Sequence, residues 1–318
     1  MKRDSVHTYK ITIMCQFCNF SSPDNNTTTV YGTDEADLLV GRSLTDYIFA
    51  EGGDDSLFGH GGDDFISGKE GNDSILGGEG NDFLVGDSLV VEDPANSNDT
   101  IRGGAGNDEL MGRIGQDELF GGGDNDQLFG EEDNDKLHGG RGEDYLDGDE
   151  GNDLLFGNAD NDTLWGGNGV LSGEDRDTLI GGDGNDVLVG GIDNDILNGG
   201  KGEDRFEFIE AKSFAEANLG VDRIQDFGNG DDKIVLNNRV FPGLNDGVNA
   251  DTPLDSNKFA VVSNNAAVAA RDELIVYSSS SGKLFYNENG SDSGFGEGGQ
   301  FAVLSGQPDL VAEDFIVT

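Results

Sequence analysis

The chain has 318 residues, of which 64 are acidic and 19 are basic, so its formal net charge at pH 7 is −45. This excess of negative charge repels nucleic-acid phosphates and anionic lipid headgroups, so we expect neither as a partner. No stretch approaches the ~20 consecutive apolar residues that a transmembrane helix requires. Residues 32–207 hold 45 of the acidic residues and only nine basic ones, so a compact fold there requires bound cations.

Residues 1–31 carry three basic and two acidic residues, and we expect them to form a flexible N-terminal tail. Cys15 and Cys18 are the only two cysteines of the chain. Two cysteines provide neither a disulfide framework nor the four ligands of a structural zinc site. The segment also lacks the apolar core and cleavage site of a Sec signal peptide.

Residues 32–207 consist of 18 consecutive repeats, sixteen of nine residues and two longer ones at Gly86–Arg102 and Gly166–Ile180. Position one is Gly in 17 units, the exception being Ala50. Position six is Asp in all 18 units, and position eight is Leu or Ile except for Phe206 in the last unit. Such strict periodicity indicates a solenoid rather than a disordered spacer rich in Gly and Asp.

Each column of the repeat has a structural interpretation. Glycine at position one, and often at two and four, permits turns and close backbone approach. The aliphatic residue at position eight is the inward residue of a short strand. Two units would then close one coil of 18 residues, and stacked coils would form two parallel sheets around a thin aliphatic core. We therefore predict an all-β fold, a parallel β-roll (β-helix) over residues 32–207.

The aspartates at position six fall in the turns, where they face backbone carbonyls of the next coil. Ca²⁺ accepts six to eight oxygen ligands and tolerates a mixture of carbonyls and carboxylates, whereas Mg²⁺ requires a tighter octahedron. The sequence therefore predicts multiple Ca²⁺ ions as cofactors. The predicted ligands are Asp55, Asp64, Asp73, Asp82, Asp108, Asp117, Asp126, Asp135, Asp144, Asp153, Asp162, Asp186, Asp195 and Asp204.

The repeat resembles G-G-x-G-x-D-x-U-x, the nonapeptide of the RTX (haemolysin-type) calcium-binding family. The resemblance implies that the repeats are unfolded without calcium and fold as calcium binds, and charge repulsion predicts the same. The first two units, with Glu35 and Leu44 at position four, depart from the pattern as an N-terminal cap would. The two insertions, near 88–94 and 169–174, are expected to disrupt neighbouring sites.

Five units have Asp at position four, and for the four of these that have nine residues two explanations remain open. These aspartates either add a calcium ligand or adopt the backbone angles of the glycine they replace. The residues are Asp124, Asp133, Asp160 and Asp193.

Residues 208–318 lack the period and are predicted to form a C-terminal β cap, with strands at Leu274–Tyr277, Lys283–Tyr286 and Gln300–Leu304. Val221–Ile234 resembles the motif that closes RTX arrays, including those of serralysin-type proteases. The ending Asp314–Thr318 resembles the uncleaved type I secretion signal of the same family. A further calcium ion is expected at Asp226, Asp231 and Asp232.

We expect no enzymatic activity. Two short sequences resemble the motifs of GDSL esterases: Gly86-Asp87-Ser88-Leu89 and Asp135-x-x-His138. However, Asp135 is position six of a repeat unit, and no alternation of helices and strands surrounds Ser88. The sequence contains no H-E-x-x-H motif. We interpret His7, His60 and His138 as solvated side chains.

The sequence thus predicts a secreted, extracellular calcium-binding β-roll that folds after type I export. Its expected partners are calcium ions, the type I secretion machinery and a cell-surface or matrix polymer. Two other functions remain open: the roll of an adhesin or matrix protein, and the repeat module of an extracellular enzyme, such as a polysaccharide epimerase, whose catalytic domain lies on another chain.

Overall fold

A computed structural model describes residues 27–88, 97–167, 175–209, 220–228, 231–244, 251–288 and 298–318. These residues form two long sheets, which confirms the predicted all-β fold. Their helical segments are three 3₁₀-helices at Ser256–Lys258, Asn265–Ala270 and Ala312–Asp314. None of the helices in these ranges is long and apolar enough to span a membrane.

The first sheet contains the odd-numbered strands of the solenoid and two strands of the C-terminal cap. In spatial order its strands are β1 (Thr28–Tyr31), β3 (Asp46–Phe49), β5 (Phe65–Ser67), β7 (Phe83–Val85), β9 (Glu109–Ile114), β11 (Gln127–Glu132), β13 (Tyr145–Glu150), β15 (Thr163–Gly167), β17 (Val187–Gly191), β19 (Arg205–Phe208), β21 (Lys233–Leu236), β27 (Phe315–Val317) and β22 (Thr252–Pro253).

The second sheet contains the even-numbered strands of the solenoid and four strands of the cap. In spatial order its strands are β2 (Leu38–Val40), β4 (Ser56–Gly61), β6 (Ser74–Glu79), β8 (Thr100–Ala105), β10 (Glu118–Gly123), β12 (Lys136–Arg141), β14 (Leu154–Ala159), β16 (Thr178–Asp183), β18 (Ile196–Lys201), β20 (Asp222–Ile224), β26 (Gly299–Leu304), β25 (Lys283–Tyr286), β24 (Ile275–Ser278) and β23 (Phe259–Val262).

Each solenoid strand pairs in parallel with the strand two units later. Leu119 of β10 lies opposite Ile101 of β8 on one side and Leu137 of β12 on the other. Two units therefore close one coil, as the sequence predicted. Many strands are longer than the expected three residues, because positions two and three of the next unit continue the ladder, as in the pairing of Gly122 with Gly140.

The core of the solenoid is one continuous column of position-eight side chains on each sheet. Leu119, Leu128 and Leu137 are fully buried and belong to a cluster that runs from Val30 into the cap. Each coil contributes only two such residues, so the aliphatic core is thin and the turns lie close to it.

The roll extends beyond the predicted boundaries at both ends. At the N-terminus, β1 lies within the predicted tail 1–31 and pairs with β3, so the boundary at residue 31 is too late. At the C-terminus, β20 and β21 continue the two sheets after the period ends at Glu207. Residues 1–26, with Cys15, Cys18 and His7, lie outside the described residues, as do most of the two insertions.

Beyond β21 the chain forms the cap. Strands β24, β25 and β26 are antiparallel neighbours, and β26 joins the second sheet through β20. The three strands predicted in this segment are confirmed to within one residue at each end. β27, at the C-terminus of the chain, pairs with β21 of the first sheet, so the cap covers the end of both sheets.

Candidate metal sites along the turns

The position-six aspartates lie in the turns, and the structure buries them. All 14 predicted ligands are 3% exposed or less. Their backbone precedes the strand that carries the position-eight residue, so the core holds each carboxylate in place. A column of buried carboxylates therefore runs along each edge of the roll.

One carboxylate oxygen of each aspartate connects successive coils. Asp126 Oδ1 accepts a hydrogen bond of 2.8 Å from the backbone N–H of Asp108, and the N–H of Asp126 donates to Asp144 Oδ1 at 2.8 Å. The same bond recurs along both edges of the roll. One oxygen is thus committed to the fold, and the other is left for a different partner.

The second oxygen, Oδ2, is buried and accepts no hydrogen bond within the described residues in 13 of the 14 predicted ligands, all except Asp204. A buried carboxylate oxygen without a partner is strongly unfavourable unless a positive charge lies beside it. The regular recurrence of this oxygen points to a cation that the turns are shaped to hold.

The glycine at position one lets this oxygen and a carbonyl oxygen of the next coil approach its backbone closely. A β-carbon added to that glycine would meet both oxygens. On Gly121 the added β-carbon would lie 2.7 Å from the carbonyl oxygen of Gly139 and closer still to Asp126 Oδ2. Thirteen units have both oxygens within 3.0 Å of this added β-carbon; their position-one glycines are Gly32, Gly41, Gly59, Gly68, Gly77, Gly86, Gly103, Gly121, Gly130, Gly148, Gly157, Gly166 and Gly181.

This donor set fits calcium. An orphaned carboxylate oxygen and a backbone carbonyl oxygen lie side by side in the turns, and both are ligands that Ca²⁺ accepts. The described residues contain no group of three or more His, Cys, Asp or Glu side chains that could hold a metal. A site in the turns must therefore draw on backbone carbonyls, which are ligands that Ca²⁺ accepts and that zinc sites do not use.

Burial raises the pKa of the column carboxyls above their usual range. The pKa rises to about 6 for Asp82, to about 7 for Asp64, to about 8 for Asp126 and to about 9 for Asp135. Desolvation is the main cause, backbone N–H donors oppose it, and neighbouring aspartates add to it. The ionised column is therefore unfavourable without a compensating positive charge.

The column contains three aspartates that were not among the predicted ligands. Asp99 and Asp177 follow the insertions, yet their Oδ1 atoms accept from the N–H of Asp73 at 2.7 Å and Asp153 at 2.8 Å, and their Oδ2 atoms are orphaned like the others. The insertions were expected to disrupt the neighbouring sites, yet they leave the column in register at Asp99 and Asp177. Asp46 of the second unit is also fully buried in this column.

The column also continues past the last repeat. Asp222 and Asp232 accept from the N–H of Asp195 and Asp204, both at 3.1 Å, and so take position-six places. Both aspartates begin an Asp-x-Ile sequence, which is the pattern of positions six to eight in the repeat. The expected grouping of Asp226, Asp231 and Asp232 is not reproduced as one site, since Asp226 instead accepts from the N–H groups of Gly199 and Gly200.

The position-four aspartates adopt the backbone angles of the glycine that they replace. Their φ values are positive, 73° for Asp124, 77° for Asp133, 78° for Asp160 and 69° for Asp193. Asp160 also accepts a hydrogen bond from the N–H of Gly142. This conformation accounts for Asp at position four without a ligand role, because Asp tolerates left-handed angles better than most residues.

Position-five residues form a second ladder of hydrogen bonds between successive coils, which was not predicted from the sequence. The N–H of Asn107 donates to Asn81 Oδ1 at 2.8 Å, and the N–H of Asn125 donates to Asn107 Oδ1 at 2.9 Å. Asparagine at position five in ten of the 18 units was the available signal. These exposed, uncharged side chains connect successive turns by hydrogen bonds.

Asp55 differs from the other predicted ligands in its surroundings. Its unit has Ala50 at position one, so a methyl group stands where the other units have only a glycine hydrogen. We therefore expect the Asp55 turn to hold calcium more weakly than its neighbours.

The residues that match the sequence motifs of GDSL esterases have structural roles in the roll. Asp135 is a buried column member. His138 stacks between Phe120 and Phe156 on the outer face of the second sheet, with ring centroids 4.8 and 4.7 Å away. The interpretation of His138 as solvated is wrong, and burial lowers its pKa. His60 is exposed, as predicted.

Comparison with known proteins agrees with this geometry. A family model of the RTX calcium-binding nonapeptide repeat (4 copies) matches residues 31–66, 58–88, 95–128, 111–146, 120–155, 138–170 and 171–206. A search of curated proteins finds no match to the chain. The matched segments cover more than half of the sequence, and they coincide with the buried aspartate columns. The chain therefore belongs to the RTX calcium-binding nonapeptide repeat family and is a repeat protein that binds multiple calcium ions.

Proposed function

We propose that calcium controls the folding of this chain, and that the chain acts as an extracellular, non-enzymatic calcium-binding β-roll. The observation that carries the proposal is the column of buried carboxylates, each with one oxygen unpartnered among the described residues. The ions would lie in the turns, held by Asp Oδ2 and backbone carbonyls such as those at position one.

The charges explain why calcium and folding are coupled. In an unfolded chain the 45 acidic residues of residues 32–207 are hydrated and spread apart. In the roll, successive column carboxylates lie one coil apart in a medium of low polarity, so each raises the pKa of its neighbours. Calcium supplies the positive charge that the column lacks, so the free energy of binding contributes directly to folding.

This coupling suits export from a compartment with little calcium. The chain would remain unfolded where calcium is micromolar and fold where it is millimolar, a range typical of weak extracellular sites. The proposed type I secretion signal at the C-terminus fits the same order of events. Phe315 and Val317 of β27 are buried in the folded cap, so export machinery would bind them only before folding.

Folding is tested by far-UV circular dichroism of the EGTA-stripped chain during a calcium titration, with magnesium as the control. We expect a cooperative gain of β signal with calcium and none with magnesium at the same concentration. A full β signal in EGTA that calcium leaves unchanged would contradict the proposal.

Export is tested separately, by deleting residues 309–318 and measuring secretion through a type I system. We expect secretion to be lost, while Val261→Asp, a change at an exposed position of the cap, should leave it intact. Unchanged secretion of the deletion variant would contradict this part of the proposal and leave calcium-dependent folding unaffected.

A further inference from the structure

A stack of planar side chains lies on the outer face of the second sheet. Its members occupy position nine, the residue after the buried aliphatic one, so they point away from the core. The guanidinium carbon of Arg102 lies 4.7 Å from the ring centroid of Phe120. His138 follows between Phe120 and Phe156, with 6° between neighbouring ring planes. The ring of His138 therefore fills the space between two phenylalanines that are two strands apart.

The first sheet repeats this arrangement with a carboxylate in place of the middle ring. Phe129 of β11 and Trp165 of β15 are also position-nine residues, and Asp147 of β13 lies opposite both of them in the strand register. Two strand spacings of about 4.8 Å place the two aromatic residues about 9.6 Å apart. On the second sheet the ring of His138 fills a separation of this size. We call Phe129, Asp147 and Trp165 the aromatic notch.

The carboxylate of the aromatic notch is held in a defined position. Tyr145, two residues earlier on the same face of β13, donates a hydrogen bond from its hydroxyl to Asp147 Oδ2 at 3.1 Å. The ring of Tyr145 also packs against Phe129, with centroids 5.9 Å apart, so it forms one wall of the notch. Asp147 and the three aromatic side chains are each half-buried. The carboxylate is therefore oriented by its neighbours and still accessible from solvent.

Negative charge dominates the surroundings of the aromatic notch. On the same strands Glu131 lies opposite Asp149, and Arg113 forms an ion pair with Glu131 at 3.8 Å. Among the described residues no ion pair includes Asp147 or Asp149. Aromatic rings attract cations through their negative faces. The charge and the rings of the notch are thus both complementary to a cation.

We propose that the aromatic notch binds the guanidinium group of an arginine side chain in a basic peptide segment of a partner protein. A guanidinium is planar, so it stacks between Phe129 and Trp165 as the imidazole of His138 stacks on the other sheet. Its N–H groups donate to the carboxylate of Asp147 in a charge-assisted hydrogen bond. Arg102 provides the precedent within this protein, since its guanidinium already lies over a position-nine ring.

Shape and charge favour arginine over other occupants. A lysine ammonium is compact and strongly hydrated, and it lacks the planar face that fills a space between two rings. A neutral aromatic side chain would fill that space but leave the carboxylate of Asp147 without a countercharge. A second copy of this chain, with its formal net charge of −45, would be repelled. A basic peptide segment is instead attracted to this acidic surface.

Trp165 is the only tryptophan of the chain, so its fluorescence reports directly on the aromatic notch. The calcium-loaded full chain would be titrated with the peptide Gly-Arg-Gly-Arg-Gly and, as the matched control, with Gly-Lys-Gly-Lys-Gly. Salt at about 0.15 M screens weak attraction to the acidic surface. We expect a saturable change of tryptophan emission with the arginine peptide, and binding of the lysine peptide at least about tenfold weaker.

Substitutions separate the aromatic notch from the acidic surface as a whole. Asp147→Asn should weaken binding of the arginine peptide about tenfold. Glu79→Gln, which removes the same charge from an exposed position of the second sheet, should leave binding unchanged. Asp147→His should abolish binding, because its ring would fill the notch as His138 fills the stack on the other sheet.

Phe129→Leu tests the same site without changing any charge, and it should weaken binding by removing one stacking face. Circular dichroism checks that each variant folds with calcium, and Phe129→Leu remains decisive if a variant of Asp147 does not fold. Equal affinity for the two peptides, or equal effects of Asp147→Asn and Glu79→Gln, would overturn the proposal and indicate attraction to the acidic surface in general. Tryptophan emission that neither peptide changes would overturn it as well.

Discussion

Replacing Gly121 with alanine should remove one calcium ion from the roll. The added β-carbon would lie 2.7 Å from Gly139 O and closer to Asp126 Oδ2, so it would displace the two oxygens that are proposed to bind the ion. The φ angle at Gly121 is not positive, so the backbone itself accepts alanine. With calcium at a hundredfold excess over its dissociation constant, loss of one ion costs about 2.7 kcal/mol of folding free energy.

The control is Gly123→Ala in the same unit. Its β-carbon would have one neighbour, Gly104 O at 4.0 Å, and a nearby unit already has Ala105 at this position. Calcium stoichiometry by equilibrium dialysis and urea unfolding at fixed calcium would be measured for both variants. We expect one ion fewer and lower stability for Gly121→Ala alone. Unchanged stoichiometry in Gly121→Ala, or an equal loss in both variants, would refute the site assignment.

Three further outcomes follow from the same geometry. Ala50→Gly should open the Asp55 turn and add one calcium ion in equilibrium dialysis; an unchanged count would show that the methyl group does not block the site. Asp177→Asn should reduce calcium stoichiometry by as much as Asp153→Asn, because the insertion leaves the column in register; no effect from Asp177→Asn would restore the view that insertions disrupt sites. Without calcium, the roll should gain β signal in circular dichroism as the pH falls, since folded pKa values of about 6 to about 9 lie above the ordinary 3.8. Its stability is greatest below about pH 4 and is lost as the pH rises through that range, so a signal independent of pH would contradict this reasoning.

The sequence predicted the solenoid because two columns alone specify it. Aspartate at position six and an aliphatic residue at position eight repeat 18 residues apart on each sheet, which determines both the coil and the parallel register. The strands of the cap were predictable from apolar runs between turns, as for Lys283–Tyr286. Local patterns of this kind are visible because each depends on neighbouring residues only.

The remaining features depend on contacts between distant residues. The period does not reveal that Asp222 and Asp232 take position-six places, since 27 and 28 residues separate them from the aspartates that they contact. The register of Asp99 and Asp177 could not be predicted from the sequence, because a loop can leave the turn without moving the strands that flank it. The conformation of Asp124 could not be chosen in advance, because both a ligand role and a positive φ suit aspartate.

The most direct test of the account is a crystal structure of the calcium-loaded chain with an anomalous difference map for calcium. We predict peaks in the turns, each beside an Asp Oδ2 atom and a position-one carbonyl, at units such as those of Gly59 and Gly121. The Asp55 turn should show a weaker peak or none. A folded β-roll whose turns contain no calcium peaks would contradict the central claim that calcium neutralises the buried column.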